Sequence, residues 1–160
     1  HARYHGCVEE HSFSERLKLR RTAAGLTQRQ LAELSGVKQP LIAAIERGTR
    51  APSDAARSAL EHALQVRPSA LLRARRDEVL AALARIGAKD PWVFGSVARG
   101  EDDPGSDLDL LVTFPPDADI VTLLTLEEEL AKILTVPVGV VSSGRSGRVL
   151  DRARVEAVPL

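Results

Sequence analysis

The 160-residue sequence contains one cysteine, no methionine and only five aromatic residues. A single cysteine excludes an internal disulfide framework and is typical of a reducing compartment, so we expect a cytoplasmic protein. With so few aromatic rings, the core has to consist of Leu, Val, Ile and Ala. No apolar run is long enough to span a membrane and no signal-peptide pattern occurs, so we expect no membrane partner. The missing methionine predicts a trimmed N terminus.

The formal net charge of zero conceals an uneven distribution along the chain. Residues 12–66 carry a net charge of +4, residues 67–90 a net charge of +3, and residues 91–160 a net charge of −6. A basic front and an acidic back predict two modules with different partners. The basic module can meet DNA phosphates, whereas the acidic module is better suited to holding cations.

Residues 1–11 show no periodicity, and we expect a flexible tail there. His1, His5, Cys7 and His11 are candidate metal ligands, but their spacing matches no zinc pattern.

From Phe13 onwards short helical segments follow one another, and glycines end them. Thr27 and Gln30 stand three residues apart, as a capping box at a helix start requires. Pro40 fits the first turn of the next helix, and Gly36 lies in the turn between the two. Two short helices joined by such a turn make a helix-turn-helix, whose second helix enters the major groove of DNA.

Residues 13–70 resemble the XRE/Cro family of DNA-binding domains. The positions that carry the resemblance are Gly25, Leu26, Thr27, Gln28, Leu31, Ala32, Gly36, Val37, Gln39, Ile42, Ile45, Glu46, Arg47, Gly48, Pro52 and Ser53. The resemblance implies double-stranded operator DNA as the partner. The implied DNA contacts are Gln28, Lys38, Gln39, Leu41, Ala43 and Arg50. A helical bundle used only for dimerisation is the alternative. Oligomeric state stays open, although helix-turn-helix proteins commonly bind as dimers.

Within the contact set, Gln39 can pair with adenine. The resemblance places Leu41, Ala43 and Ala44 along the exposed side of the second helix, where apolar side chains can touch a thymine methyl group. Gln28 and Arg50 are expected at phosphates. Family members often carry polar or Arg residues where this chain has Pro40, Ala43 and Ala44, so specificity is expected to depend on dimer spacing and DNA shape.

A second motif lies between Trp92 and Phe114. Gly95-Ser96 is followed by ten residues and then by Asp107-Leu108-Asp109. On a strand the two acids point to the same face, roughly 7 Å apart. Carboxylate pairs bind Mg²⁺ together with substrate phosphates, and a Gly-Ser turn lets backbone N–H groups approach a phosphate closely.

This stretch resembles the signature of the polymerase-β-like nucleotidyltransferases, and most closely that of the minimal nucleotidyltransferases. Ala98-Arg99-Gly100 and Ser106 extend the match. The resemblance implies that Asp107 and Asp109 are catalytic and bind Mg²⁺ or Mn²⁺, with ATP as the substrate. Gly95 and Ser96 would hold the β- and γ-phosphates, and Ser106 would shape the loop before the acids. Arg99 either contacts phosphate or holds the loop.

Such enzymes use a third carboxylate on the adjacent strand, and this chain lacks it. The matching stretch reads Val138-Gly139-Val140-Val141, so Gly139 stands where the acid is expected. No acid occurs between Glu129 and Asp151.

Together the motifs predict an α+β protein of two domains. An all-α helix-turn-helix bundle over residues 12–70 precedes a small α/β nucleotidyltransferase fold with a short mixed sheet over residues 71–160. The resemblance further implies an antitoxin that transfers AMP to a HEPN-type toxin and represses its own operon. The alternatives are a repressor whose nucleotidyltransferase domain only binds nucleotide or a partner, and a plain interaction module.

Overall fold

A computed structural model describes the backbone of residues 2–144 and 147–160. Side chains are described for residues 13–144, 147–148 and 150–160, so the candidate metal ligands in the first eleven residues lie outside the described side chains. The chain divides into two compact units, the first ending at Val66 and the second beginning at Arg67. The architecture is α+β, as predicted, with a helical first unit and a mixed sheet in the second.

Four helices make up the first unit. They are α1 (Ala2–Ala23), α2 (Gln28–Ser35), α3 (Gln39–Glu46) and α4 (Asp54–Ala63). The predicted capping box is present: Gln30 N donates to Thr27 Oγ1, and Thr27 N donates to Gln30 Oε1 at 2.8 Å. Gly36 ends α2 with φ of 73°, a conformation that glycine adopts without steric cost.

The core of this unit is aliphatic, with Phe13 as its one ring among the described residues. Each helix contributes to it. The buried members of the core are Phe13, Leu17, Leu31, Val37, Ile42, Ile45, Ala56, Leu60 and Leu64. The helix α1 begins at Ala2 rather than near Phe13, so residues 2–11 have helical backbone where a tail was expected. Extending an existing helix adds one hydrogen bond for each residue that is fixed, so apolar periodicity is not needed there.

The second unit alternates helices with strands. Its elements are α5 (Pro68–Ala74), α6 (Arg76–Arg85), β1 (Lys89–Phe94), α7 (Gly95–Arg99), β2 (Leu108–Thr113), α8 (Ile120–Leu134), β3 (Val138–Ser142), α9 (Arg148–Glu156) and β4 (Val158–Pro159). The helices α5 and α6 are separated only by Arg75, which interrupts what would otherwise be one helix. The short helix α7 and strand β4 were not predicted.

The strands form one mixed sheet in the order β3-β2-β1-β4. Strand β1 is antiparallel to β2 and β4, and β2 is parallel to β3. Side chains along β2 alternate between the two faces of the sheet. Leu108, Leu110 and Val112 are buried on one face, and Asp109 lies on the other face. In the described part of the chain, no helix combines the length and hydropathy that a membrane span requires.

Candidate functional site

The carboxylate of Asp109 lies in the middle of the sheet. Asp109 pairs with Phe94 of the antiparallel strand β1 and with Gly139 of the parallel strand β3. Phe94 is the last residue of β1, and Gly95 follows it directly at the start of α7. The sheet register therefore brings together the Gly-Ser turn, the acid pair and the strand that was expected to carry a third acid.

Two glycines make room for this carboxylate. A Cβ on residue 95 would lie 2.8 Å from Asp109 Oδ2, a distance that real contacts do not reach. Gly95 also has φ of 73°, so both its backbone and its surroundings require glycine. On the other side, a Cβ on residue 139 would lie 3.1 Å from Asp109 Oδ1.

The two acids differ in environment. Asp109 is half-buried and Asp107 is exposed. Burial raises the pKa of Asp109, and the negative charge of Asp107 raises it further. A cation placed between the two carboxylates would relieve both effects, since opposite charge favours the ionised form.

The donor set fits a divalent ion that arrives with a phosphate substrate. Among the described residues, no three or more His, Cys, Asp or Glu side chains cluster closely enough to hold a metal ion alone. Mg²⁺ typically takes one or two carboxylates and completes its shell with water and phosphate oxygens. Asp107 and Asp109 can supply the carboxylate ligands of such an ion. The described side chains form no closed site made only of protein ligands.

The loop between α7 and β2 is fixed by its own side chains. Ser106 Oγ accepts a hydrogen bond from Asp103 N at 3.0 Å, and Asp103 Oδ1 accepts one from Gly105 N at 2.7 Å. Asp102 is only 3% exposed and accepts a hydrogen bond from Ser69 N, in the first turn of α5. The structure thus places Ser106 in the turn that precedes the acids. No sequence pattern pointed to Asp102 as the acceptor for Ser69 N.

A cavity of about 820 Å³ opens beside Gly95. The residues that line it are Phe94, Gly95, Arg99, Arg148, Arg152, Ala153 and Glu156. Arg99 Nε donates to Glu101 Oε2 at 2.8 Å, and Arg99 NH1 donates to Glu156 Oε2 at 2.7 Å. The hydrogen bonds that Arg99 donates, first to Glu101 and then to Glu156, raise its pKa.

Three charged cavity residues were missed from the sequence, although a pattern for them exists. Arg148, Arg152 and Glu156 follow one another at intervals of four residues, which places them on one face of α9. The loop before α9 gave no motif, and only the fold brings this helix to Gly95.

In the first unit, a chain of polar contacts runs across the helix-turn-helix. Gln39 Nε2 donates to Gln28 Oε1, and Gln28 Nε2 donates to Glu46 Oε2, both at 2.9 Å. Glu46 in turn accepts two hydrogen bonds from Arg21, at 2.6 and 3.0 Å. The chain holds Gln28 and Gln39 side by side at the beginnings of α2 and α3. The sequence did not predict that Glu46 and Arg21, whose side chains are largely buried, would hold Gln28 in this position.

One expected DNA contact is wrong in its placement. Ala43 was expected on the exposed side of α3, but it is buried at 7% exposure and cannot reach a base. Leu41 is half-buried and packs against the core of the unit. Lys38, Gln39 and Arg50 are exposed. The misplacement arises because helix periodicity fixes which residues share a face, but the packing partners decide which face is covered.

Both halves of the chain match known domain families. Residues 17–71 match the family described as "Helix-turn-helix". Residues 76–155, half of the chain, match the family described as "Nucleotidyltransferase domain".

Three similar proteins each cover between 39% and 57% of this chain. The chain is 34% identical over 82 residues to "Putative protein adenylyltransferase MJ0435" of Methanocaldococcus jannaschii, covering 51% of this chain and 88% of the relative. It is 40% identical over 65 residues to "Protein adenylyltransferase MntA" of Thermococcus cleftensis, covering 39% of this chain and 66% of that relative. A solved "Structure of putative minimal nucleotidyltransferase" is 44% identical with a TM-score of 0.52, covering 57% of this chain and 95% of its own.

Proposed function

The chain belongs to the nucleotidyltransferase domain family, and on that premise we propose that its second unit transfers AMP from ATP to a partner protein while its first unit binds operator DNA. The observation that carries the proposal is the position of Asp109. Its carboxylate lies against Gly95 at the beginning of the Gly-Ser turn, and Asp107, one residue before β2, is close enough for its charge to act on Asp109. Both relatives above are named protein adenylyltransferases, which supports a protein as the acceptor.

Asp107 and Asp109 would hold Mg²⁺ or Mn²⁺ together with the phosphate oxygens of ATP. When bound, the ion would neutralise charge on the phosphates and on the leaving group. The half-buried position of Asp109 helps this role, because a carboxylate that is costly to ionise alone gains most from a nearby cation. The glycine at position 95 leaves the space that this carboxylate occupies.

The transfer itself balances with the groups named. An acceptor hydroxyl oxygen forms a bond to the α-phosphorus, the bond from that phosphorus to the bridging oxygen breaks, and pyrophosphate leaves. The hydroxyl proton is lost to water, since position 139 offers no carboxylate to accept it. The protein contributes by positioning and charge neutralisation, which dominate catalysis of phosphoryl-type transfer.

The first unit supplies a reason for the fusion. Lys38 and Gln39 are exposed at the start of the second helix of the helix-turn-helix, where a major groove would lie, and Arg50 is exposed beyond its end. Operator binding would place the protein in the cytoplasm and let it repress its own operon. The resemblance to minimal nucleotidyltransferases favours a HEPN-type toxin as the acceptor, in an antitoxin role.

A second function is favoured by Gly139. Its direct pairing with Asp109 supports this residue as the position from which a third acid would reach the proposed metal site. A domain with two of three acids can bind ATP and Mg²⁺ without fast transfer. The protein would then be a repressor whose second unit senses nucleotide or holds a partner.

One experiment separates the two functions. The full chain is incubated with ATP, Mg²⁺ and the protein encoded beside it, and intact mass is recorded. We expect the partner to gain the mass of one AMP, and Asp107→Ala to abolish that gain. No gain with the wild-type chain, together with saturable ATP binding, would instead establish the repressor without transfer.

A further inference from the structure

The cavity beside Gly95 holds three arginines with different surroundings. Arg99 is engaged by two carboxylates, those of Glu101 and Glu156. Arg148 and Arg152 are exposed side chains on α9, and among the described residues neither has a carboxylate within ion-pair distance. Two positive charges are thus available in the cavity, and a third is neutralised.

We propose that Arg148 and Arg152 bind the β- and γ-phosphates of the nucleotide, and that Arg99 holds α9 in place rather than contacting phosphate. The inference rests on the proposed function for the location of the α-phosphate at Asp107 and Asp109. It adds a helix outside the Gly-Ser and Asp-x-Asp motif to the groups that hold the polyphosphate end of the substrate.

Geometry supports this division of roles. Arg148 and Arg152 are one helical turn apart, so their side chains emerge on the same face and line one cavity with Gly95. The guanidinium group is planar and presents paired N–H donors that match phosphate oxygens. Phosphates held at the Gly-Ser turn would therefore face two unpaired cations.

Arg99 is poorly suited to be the main phosphate ligand. An anion that approaches it meets the carboxylates of Glu101 and Glu156, both within 2.8 Å of its nitrogens. Glu156 lies on the same face of α9 as the two free arginines, one turn beyond Arg152. The Arg99–Glu156 pair therefore joins α7 to α9 and sets the rotation at which the other arginines face the cavity. Glu156 is a positioning residue.

The test uses inorganic tripolyphosphate as the probe, without divalent metal, so that Asp107 and Asp109 contribute no metal bridge. Binding to the full chain is measured by isothermal titration calorimetry. We expect the double variant Arg148→Gln with Arg152→Gln to weaken binding at least about tenfold, because hydrogen bonds to charged groups each contribute more than neutral ones. AMP, which lacks both terminal phosphates, should bind the double variant and the wild type within about twofold.

Arg154→Gln is the matched control. Like each single variant, it removes one positive charge from α9. Arg154, however, donates to Ser143 O and does not line this cavity. Its tripolyphosphate affinity should stay within about twofold of the wild type. Circular dichroism verifies that each variant is folded, and the two single variants replace the double variant if it is not.

Two results would overturn the inference. One is a tripolyphosphate affinity that is the same in the double variant as in the wild type, or a wild type that does not bind tripolyphosphate at all. The other is a larger loss in Arg99→Gln than in the double variant, which would make Arg99 the phosphate ligand. The proposed function fails separately, because absence of AMP transfer to any partner leaves the tripolyphosphate result unaffected.

Discussion

Asp109 and Gly139 are direct partners in the parallel pairing of β2 with β3, and a Cβ on residue 139 would lie 3.1 Å from Oδ1 of Asp109. The contact is close, but the neighbouring atom belongs to a carboxylate that can rotate by the small amount required. An acid at position 139 would therefore face the same metal site as Asp107 and Asp109.

We predict that Gly139→Asp accelerates AMP transfer by about 100-fold, the contribution of a positioned general base. Transfer is measured as label incorporated into the partner protein over time. Gly139→Asn is the control, since it has nearly the same size and cannot accept the proton. Equal rates for the Asp and Asn variants would show that position 139 has no catalytic part.

Nucleotide binding should stabilise the second unit through the acid pair. With Mg²⁺ and a non-hydrolysable ATP analogue at 100 times its Kd, the free energy of unfolding should rise by about 2.7 kcal/mol. Asp109→Asn should lose most of this gain, because the metal loses a charged ligand. Thermal melting with and without ligand measures the difference. Asp117→Asn, an exposed acid away from the sheet, should retain the full gain.

Gln39 should read the operator. Replacing it with Ala removes both its contact with Gln28 and its amide, and a bidentate contact with adenine contributes about 1–3 kcal/mol. We expect operator affinity to fall roughly tenfold or more, measured by fluorescence anisotropy at fixed salt. Gln65→Ala, at an exposed glutamine beyond α4, should bind as the wild type does. Unchanged affinity for Gln39→Ala would place base recognition elsewhere.

Glu46 should be important for the stability of the first unit. Its ion pair with Arg21 is largely buried, the two side chains being 4% and 12% exposed. Glu46→Ala leaves the arginine uncompensated, which typically costs about 3–5 kcal/mol. Urea unfolding followed by circular dichroism measures the loss. Glu33→Ala breaks an exposed pair with Arg29 and should cost about 0.5 kcal/mol or less, so equal losses would contradict a buried role for Glu46.

Asp119 should make the second unit sensitive to acid. Its carboxylate caps α8, and hydrogen bonds from the backbone N–H and then the hydroxyl of Thr122 lower its pKa. A carboxyl whose pKa is lowered on folding stabilises the folded state above its unfolded value and loses that effect as pH falls. The melting temperature of the wild type should therefore exceed that of Asp119→Asn near neutral pH.

The excess should shrink as the pH drops below the ordinary aspartate value of 3.8. Asparagine keeps the cap but cannot titrate, so it isolates the charge. A difference between the two proteins that does not change with pH would contradict this assignment.

The sequence by itself determined the two-module order, the helix-turn-helix and the acid pair. These features depend on local rules: the capping box at Thr27 and Gln30, the left-handed turn at Gly36, and the spacing that puts Asp107 and Asp109 two residues apart at the start of β2. The absence of an acid at position 139 could also be read directly, because it is a matter of residue identity.

Only the tertiary structure decided which groups surround these motifs. Burial of Ala43 depends on the helices that pack on α3, and residue spacing does not specify them. The pairing of Asp109 with Gly139, the capture of Arg99 by Glu156 and the approach of α9 to Gly95 all join residues distant in the chain. Such contacts follow from sheet register and helix docking, whereas periodicity reports only the local conformation of the chain.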